Sequence, residues 1–194
     1  MISDNLTKQG YHIFPDIYTL SQVTYILNDL NQMNARRTLL DENNQSVWWD
    51  EIHIPQSTHL ATMILDNSVK RPIEAEFPLI QEAVFWANRY SVGEYIPKHC
   101  DTNGDLQIVM PVSLPPKNCG GAMLIHHQRG ENLVPQQPGQ RLLFRAIRSP
   151  HETTKLINSS ECANPMRIVC VGRIFFNKLQ FSSYPSMMVH PPTA

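Results

Sequence analysis

Met166-Arg-Ile-Val-Cys-Val-Gly-Arg-Ile-Phe-Phe176 is the stretch whose reading decides the fold: an apolar run rich in β-branched residues, too short to cross a bilayer and long enough for a core strand. Working back from it, further short apolar or alternating runs occupy 84–91, 106–114, 121–126, 140–146 and 152–157. Pro115-Pro116, Gly120-Gly121, Gly130, Pro138-Gly139 and Ser149-Pro150 separate them as turn signals. Six or more strands at this spacing predict a sandwich or barrel.

A double-stranded β-helix, the cupin-like jelly roll, fits the count, giving a mostly β fold with N-terminal helices packed on one sheet. Ahead of the strands, Tyr11-His-Ile-Phe14 reads as a short strand ended by Pro15-Asp16. Thr19-Leu-Ser-Gln22 has capping-box spacing, and Leu20, Val23, Leu27 and Leu30 predict an amphipathic helix over about 20–33. The run Ile73, Phe77, Ile80, Ala83, Val84 has helical spacing interrupted only by Pro78. Residues 34–58 mix polar loop residues with Trp48 and Trp49 and read as a loop near a pocket. The expected organisation is one domain over 1–194: a helical and loop part over 1–83, a β-helix core over 84–176, and a loosely held tail over 185–194 containing Pro185, Pro191 and Pro192.

Composition narrows the function. The 194 residues carry 16 Lys plus Arg against 17 Asp plus Glu, a formal charge of -1 with no long run of either sign, so no electrostatic footprint of a nucleic-acid binder is present. Cys100, Cys119, Cys162 and Cys170 form no CxxC pair, and no secretory signal precedes Ser3-Asp4-Asn5. A soluble, cytoplasmic protein with reduced thiols is the expectation, without a membrane partner; the oligomeric state is not readable.

His99-Cys100-Asp101 puts an imidazole and a carboxylate two residues apart, on one face of an extended chain. A second histidine would complete a two-histidine, one-carboxylate face. That set suits iron(II), because it leaves open positions for a bidentate co-substrate and dioxygen. His151, after Ser149-Pro150 and at the head of an extended run, ranks first; His126 and His127 are rivals that lead into Gln128-Arg129-Gly130. An HxD pair is weak evidence alone. The third element lies in the run that sets the fold, where Arg167, Val169, Val171 and Arg173 share one strand face. A guanidinium buried there without a partner costs several kcal/mol, which predicts an anionic ligand or a carboxylate inside. The distal carboxylate of 2-oxoglutarate is one such partner, and an arginine fork matches it bidentately. For Arg173, a surface end or an Asp or Glu partner is as consistent.

Asn88-Arg-Tyr90-Ser-Val-Gly93-Glu-Tyr-Ile-Pro-Lys-His99-Cys-Asp101 resembles the N-x-Y-x-x-G-x5-H-x-D segment of the iron(II) and 2-oxoglutarate dioxygenases. Arg167-x5-Arg173 is similar to the R-x5-R ending of the AlkB branch. Gly120-Gly121, Pro138-Gly139 and Phe144 to His151 resemble the prolyl-hydroxylase-like branch. The motifs span 88–176; residues 1–80 match in general layout only. The resemblance implies that His99, Asp101 and His151 bind Fe(II) and that Arg167 pairs with the distal carboxylate of 2-oxoglutarate. It further implies that Tyr90 donates to that carboxylate, that Asn88 meets the keto-acid end, and that Arg173 supports the metal or substrate side. Glu161 stands where the prolyl-hydroxylase pattern has a lysine, so Arg167 takes that role.

The implied chemistry is oxidative decarboxylation of 2-oxoglutarate to succinate coupled to hydroxylation by dioxygen, with ascorbate as reductant; an intact Asp101 argues against halogenation. Trp48, Trp49, Arg36, Arg37 and His53 are candidates for lining the entrance and binding a small polar substrate such as an amino acid, although the two tryptophans cover a sheet equally well. A peptidyl, prolyl-type hydroxylase is the alternative, then an AlkB-like demethylase of nucleic acid, then a non-catalytic cupin-like metal-binding protein.

Overall fold

The computed structural model describes residues 1–42, 45–127, 130–160 and 162–178. The expected tail, the Gln128-Arg129 loop and Glu161 lie outside the described residues.

Period-two patterning dominates. Among the described residues, eleven strands form two antiparallel sheets: β1 (Tyr11–Ile17), β2 (Ala35–Glu42), β3 (Gln45–Ile54), β4 (Glu82–Tyr90), β5 (Ile96–His99), β6 (Leu106–Ser113), β7 (Met123–His127), β8 (Gly130–Leu133), β9 (Gln140–Arg145), β10 (His151–Thr153) and β11 (Arg167–Phe175). The major sheet has the order β1-β9-β6-β11-β4-β3-β2 and the minor sheet β5-β10-β7-β8. This is the expected mostly β jelly roll. The helices are α1 (Ile2–Lys8), α2 (Leu20–Gln32), α3 (His59–Ile64) and α4 (Asn67–Glu76).

Strand β11 sits in the middle of the major sheet and is buried along its whole length. Ile168, Cys170 and Ile174 join Ile26, Leu30, Ile64 and Ile73 in a core between helices and sheet. Val169 and Val171 join Tyr90, Val109, Ile125 and Phe144 in a second core. Alternation therefore splits one strand between two cores, and it commits Arg167 and Arg173 to the second face. Helix α2 begins where its capping box predicts: the Thr19 side chain accepts from the Gln22 backbone, and the Gln22 side chain accepts from the Thr19 backbone.

Three expectations need correction. The segment read as a loop over 34–58 is mostly the hairpin β2–β3, which extends the major sheet from β4. Its strands escape a hydrophobic-alternation reading because its cavity-lining positions include polar Arg36 and Glu51. The helical spacing from Ile73 to Val84 holds only as far as Glu76; Phe77 and Pro78 end α4, and Ala83 and Val84 already belong to β4. Pro15 does not end β1: the strand continues to Ile17 through a register irregularity, which is tolerated because β1 is an edge strand. Strands β5 and β8, four residues each, escape a reading based on apolar runs.

One polar knot ties the helical layer to the sheet. Arg141 of β9, 1% exposed, donates to Asp66 Oδ2 at 2.6 Å and to Ser68 Oγ at 2.9 Å, and Asp66 also caps α4 and accepts from the Tyr18 hydroxyl at 2.7 Å. Burial pushes the Asp66 carboxyl up, but hydrogen bonds from Ser68, Tyr18 and Arg141 outweigh it and hold the carboxyl below its ordinary value. A depressed carboxylate stabilises the fold above its unfolded value near pH 4, and that contribution disappears as pH falls through the folded value. Asp66→Ala leaves Arg141 buried without its carboxylate and should cost about 3–5 kcal/mol in urea denaturation at pH 7. The gap between wild type and variant should shrink below pH 4; a gap independent of pH would refute the assignment.

Among the described residues, no helix is long and apolar enough to cross a membrane.

Candidate active site

Antiparallel pairing of β10 with β5 sets His151 directly opposite His99, with ring centroids 4.4 Å apart. Asp101 follows two residues after His99, and its backbone N–H donates to Ala146 O at 3.3 Å. The result is a tight cluster: the ligand atoms of His99, Asp101 and His151 all lie within 4.8 Å of one another. His99 Nε2 is 3.9 Å from Asp101 Oδ1, and His151 Nε2 is 3.8 Å from Asp101 Oδ2.

The hydrogen atoms of this cluster follow from its partners. His99 Nδ1 lies 2.8 Å from Pro97 O and His151 Nδ1 lies 2.9 Å from Ser149 O. A carbonyl only accepts, so each Nδ1 carries the proton and each Nε2 keeps its lone pair. Burial drives His151 down to about 4, the nearby Asp101 notwithstanding, so its ring is neutral at pH 7. Asp101 Oδ2 is buried with no hydrogen-bond partner. Lone-pair atoms therefore converge with no hydrogen between them, an arrangement that a shared cation satisfies and that fits a divalent metal.

Arg173 braces the carboxylate. It is 3% exposed, with one terminal nitrogen 2.5 Å from Asp101 Oδ1. Its Nε donates to Gln107 Oε1 at 3.0 Å and its other terminal nitrogen to Asn103 Oδ1 at 2.9 Å, while the guanidinium lies over the Trp86 ring. Of the two options open for Arg173, the internal carboxylate is the one realised. Gly104 makes room for it: φ is +79°, and a Cβ there would stand 2.5 Å from Arg173 Cγ.

Arg167 stands in the opposite situation. It is 1% exposed, its guanidinium lies 5.3 Å from the Tyr90 ring centroid, and a terminal nitrogen donates to Gln136 Oε1 at 3.3 Å. Its Nε has no partner, and among the described residues no carboxylate pairs with it. Burial pulls its pKa below the ordinary value, and the field and hydrogen bond of Tyr90 offset this only in part. Tyr90 lies opposite Arg167 in the β4–β11 ladder, and Asn88 Nδ2 donates to the Tyr90 oxygen at 3.1 Å. Thr153 and Arg167 also hydrogen-bond to the Tyr90 hydroxyl, which therefore stands beside the Arg167 guanidinium. Asn88 is thus tied to Tyr90, and its Oδ1 is a buried acceptor without a partner.

One cavity of about 920 Å³ is lined by the His99, Asp101, His151 cluster and by Arg167, Tyr90 and Asn88. Arg36, Arg37, Trp48 and Trp49 of the β2–β3 hairpin line it too. His53 does not: it is exposed and is not among the residues lining the cavity. Arg37 is held by Asp50 at 3.2 Å and by Glu94, and its guanidinium lies 5.9 Å from the Trp48 ring centroid. His126 is engaged elsewhere, with Nε2 at 2.8 Å from Glu152, and His127 contacts Thr7 O at 2.9 Å. Sequence reasoning missed Thr153, Gln107, Glu51 and Gln136. Thr153 had a signal, since it shares a strand face with His151; Gln136, in a loop, had none.

No protein-family model matches the chain, and no curated protein matches it in sequence. Solved structures do match in shape. A prolyl hydroxylase in complex with a hypoxia inducible factor oxygen degradation domain peptide fragment, from Trichoplax adhaerens, superposes with a TM-score of 0.73 at 17% identity, covering 95% of this chain and 92% of that one. An oxidoreductase of the 2OG-Fe(II) oxygenase family from Burkholderia pseudomallei gives 0.72 at 13% identity, over 91% and 90% of the two chains. The chain has the 2OG-Fe(II) oxygenase fold. HygX from Streptomyces hygroscopicus, solved with nickel, 2-oxoglutarate and hygromycin B bound, gives 0.63 at 9% identity over 89% and 86%. Within this fold, the chain's cluster sits where the last residue of β5, His99, pairs with the first residue of β10, His151.

Proposed function

We propose that this chain is an Fe(II)- and 2-oxoglutarate-dependent oxygenase that hydroxylates a small polar molecule. One observation carries the reading: a hydrogen-poor His99, Asp101, His151 cluster shares a cavity with a buried arginine, Arg167, that has no carboxylate partner among the described residues. His99, Asp101 and His151 are the residues that would hold iron, each histidine oriented by a backbone carbonyl and Asp101 by Arg173. Arg167 would grip the distal carboxylate of 2-oxoglutarate through its fork, and Tyr90 would donate its hydroxyl to the same group. Asn88 supports that end by fixing the Tyr90 oxygen. When bound, iron with 2-oxoglutarate supplies the activation of dioxygen and the oxidative decarboxylation to succinate, and a C–H bond of the second substrate becomes C–OH. The apolar wall made by Val109, Val169 and Val171 keeps water from the reacting side.

A peptide substrate is the second reading, favoured by Trp48 and Leu39, which are 42% and 45% exposed at cavity-lining positions and could receive an extended chain. The test is succinate formation from 2-oxoglutarate with iron(II), ascorbate and oxygen, run with free amino acids, short peptides and methylated oligonucleotides. Slow succinate release without a second substrate, accelerated by one panel member, is expected. No release under any condition would return the chain to a metal-binding, non-catalytic role.

A further inference from the structure

Across the major sheet, Arg36, Glu51, Asn88 and Val169 are consecutive partners on β2, β3, β4 and β11, and all four line the cavity. In this row, the neighbours Glu51 and Asn88 are both short of donors. Among the described residues, no hydrogen bond or ion pair engages the Glu51 carboxylate, although Arg36 stands across from it. Burial raises Glu51 above its ordinary value, and the fields of Arg36 and Arg173 only partly offset this. Asn88, 7% exposed, spends its amide N–H on Tyr90 and keeps Oδ1 without a donor. Two residues before Glu51 on the same strand face, Trp49 brings an indole to the same cavity.

Acceptors without donors next to an aromatic face make a site for a group that brings hydrogens and positive charge. Arg173 is committed to Asp101, Gln107 and Asn103, and Arg37 to Asp50 and Glu94.

We propose that Glu51, with Asn88 Oδ1 and the Trp49 indole, binds an ammonium group of the substrate, so that the molecule oxidised is a primary amine. This rests on the oxygenase reading of the cavity and goes beyond it in naming what holds the second substrate. The amine belongs to a free amino acid or to a peptide; the recognition chemistry is the same.

The test uses calorimetric titration of the full chain with Mn(II) and 2-oxoglutarate, with probes paired so that acetylation removes the ammonium charge. The pairs are L-lysine with Nε-acetyl-L-lysine, L-norleucine with N-acetyl-L-norleucine, and a lysyl tripeptide blocked at both ends with its Nε-acetylated form. At least one charged member should bind tenfold or more tighter than its acetylated partner, and the pair that does so distinguishes free α-amine, side-chain amine and peptide. Glu51→Gln should abolish that preference and Glu51→Asp should retain part of it, with circular dichroism confirming that both fold. Equal affinity within every pair, no binding by any probe, or an unchanged preference in Glu51→Gln overturns the proposal. Failure of 2-oxoglutarate itself to bind in the initial titration would instead overturn the oxygenase reading.

Discussion

Asp101→Ala should remove both metal binding and succinate formation, with turnover falling by at least about 100-fold, because even residues that merely orient metal ligands cost 10–100-fold when lost. The expectation follows from charge. Asp101 is the one acidic residue of the three proposed to hold iron, and its Oδ2 is a buried atom that lacks a partner. The same substitution has a second, separable effect. Arg173 loses the carboxylate 2.5 Å away and stays buried against Gln107, Asn103 and Trp86, an unpaired cation that should lower stability by about 3–5 kcal/mol. Urea denaturation in the presence of chelator isolates this term from metal loss. His151→Ala provides the contrast: it should abolish metal-dependent succinate formation while leaving the Arg173–Asp101 pair intact. A variant lacking Asp101 that still binds Mn(II) with wild-type affinity would remove the metal assignment.

Arg167→Met is expected to separate binding from stability in the opposite sense. Methionine is unbranched, fills part of the same space and carries no charge. Losing one partner of a buried, hydrogen-bonded charge pair costs about 2–5 kcal/mol, so the Kd for 2-oxoglutarate should rise by about 30-fold or more. Without ligand, however, the wild-type guanidinium is a buried charge with no carboxylate partner among the described residues, and replacing it with an apolar group should leave the unfolding free energy unchanged or raise it. Arg167→Lys keeps the charge but loses the fork and should fall between the two. The decisive comparison is denaturation with and without saturating 2-oxoglutarate: the wild type gains stability from the ligand and Arg167→Met does not. Equal stabilisation of both would mean that the diacid binds elsewhere.

These two arginines show how far local pattern reaches. Positions 167 and 173 lie on one face of β11 because side chains alternate along any strand, and that much needs no partner strand. Their fates diverge only in three dimensions. Gly104, with its left-handed backbone, lets the loop after Asp101 fold over Arg173, whereas among the described residues no acidic side chain pairs with Arg167. A strand's periodicity assigns a face; it does not say what stands opposite.

The sequence by itself determined the jelly-roll class, the cap that starts α2, the shared face of Arg167 and Arg173, and the short spacing of His99 and Asp101, because each depends on chain geometry within a few residues. Only the tertiary structure decided that His151 and not His126 faces His99, since that follows from the pairing of two very short strands, β5 and β10, whose positions are held by the rest of the minor sheet. It also turned a polar stretch into the hairpin β2–β3 and placed Glu51 on the cavity wall. Residues chosen to contact a polar ligand do not repeat with the hydrophobic period of a core strand, so the hairpin that completes the cavity was the part of the chain least visible in one dimension.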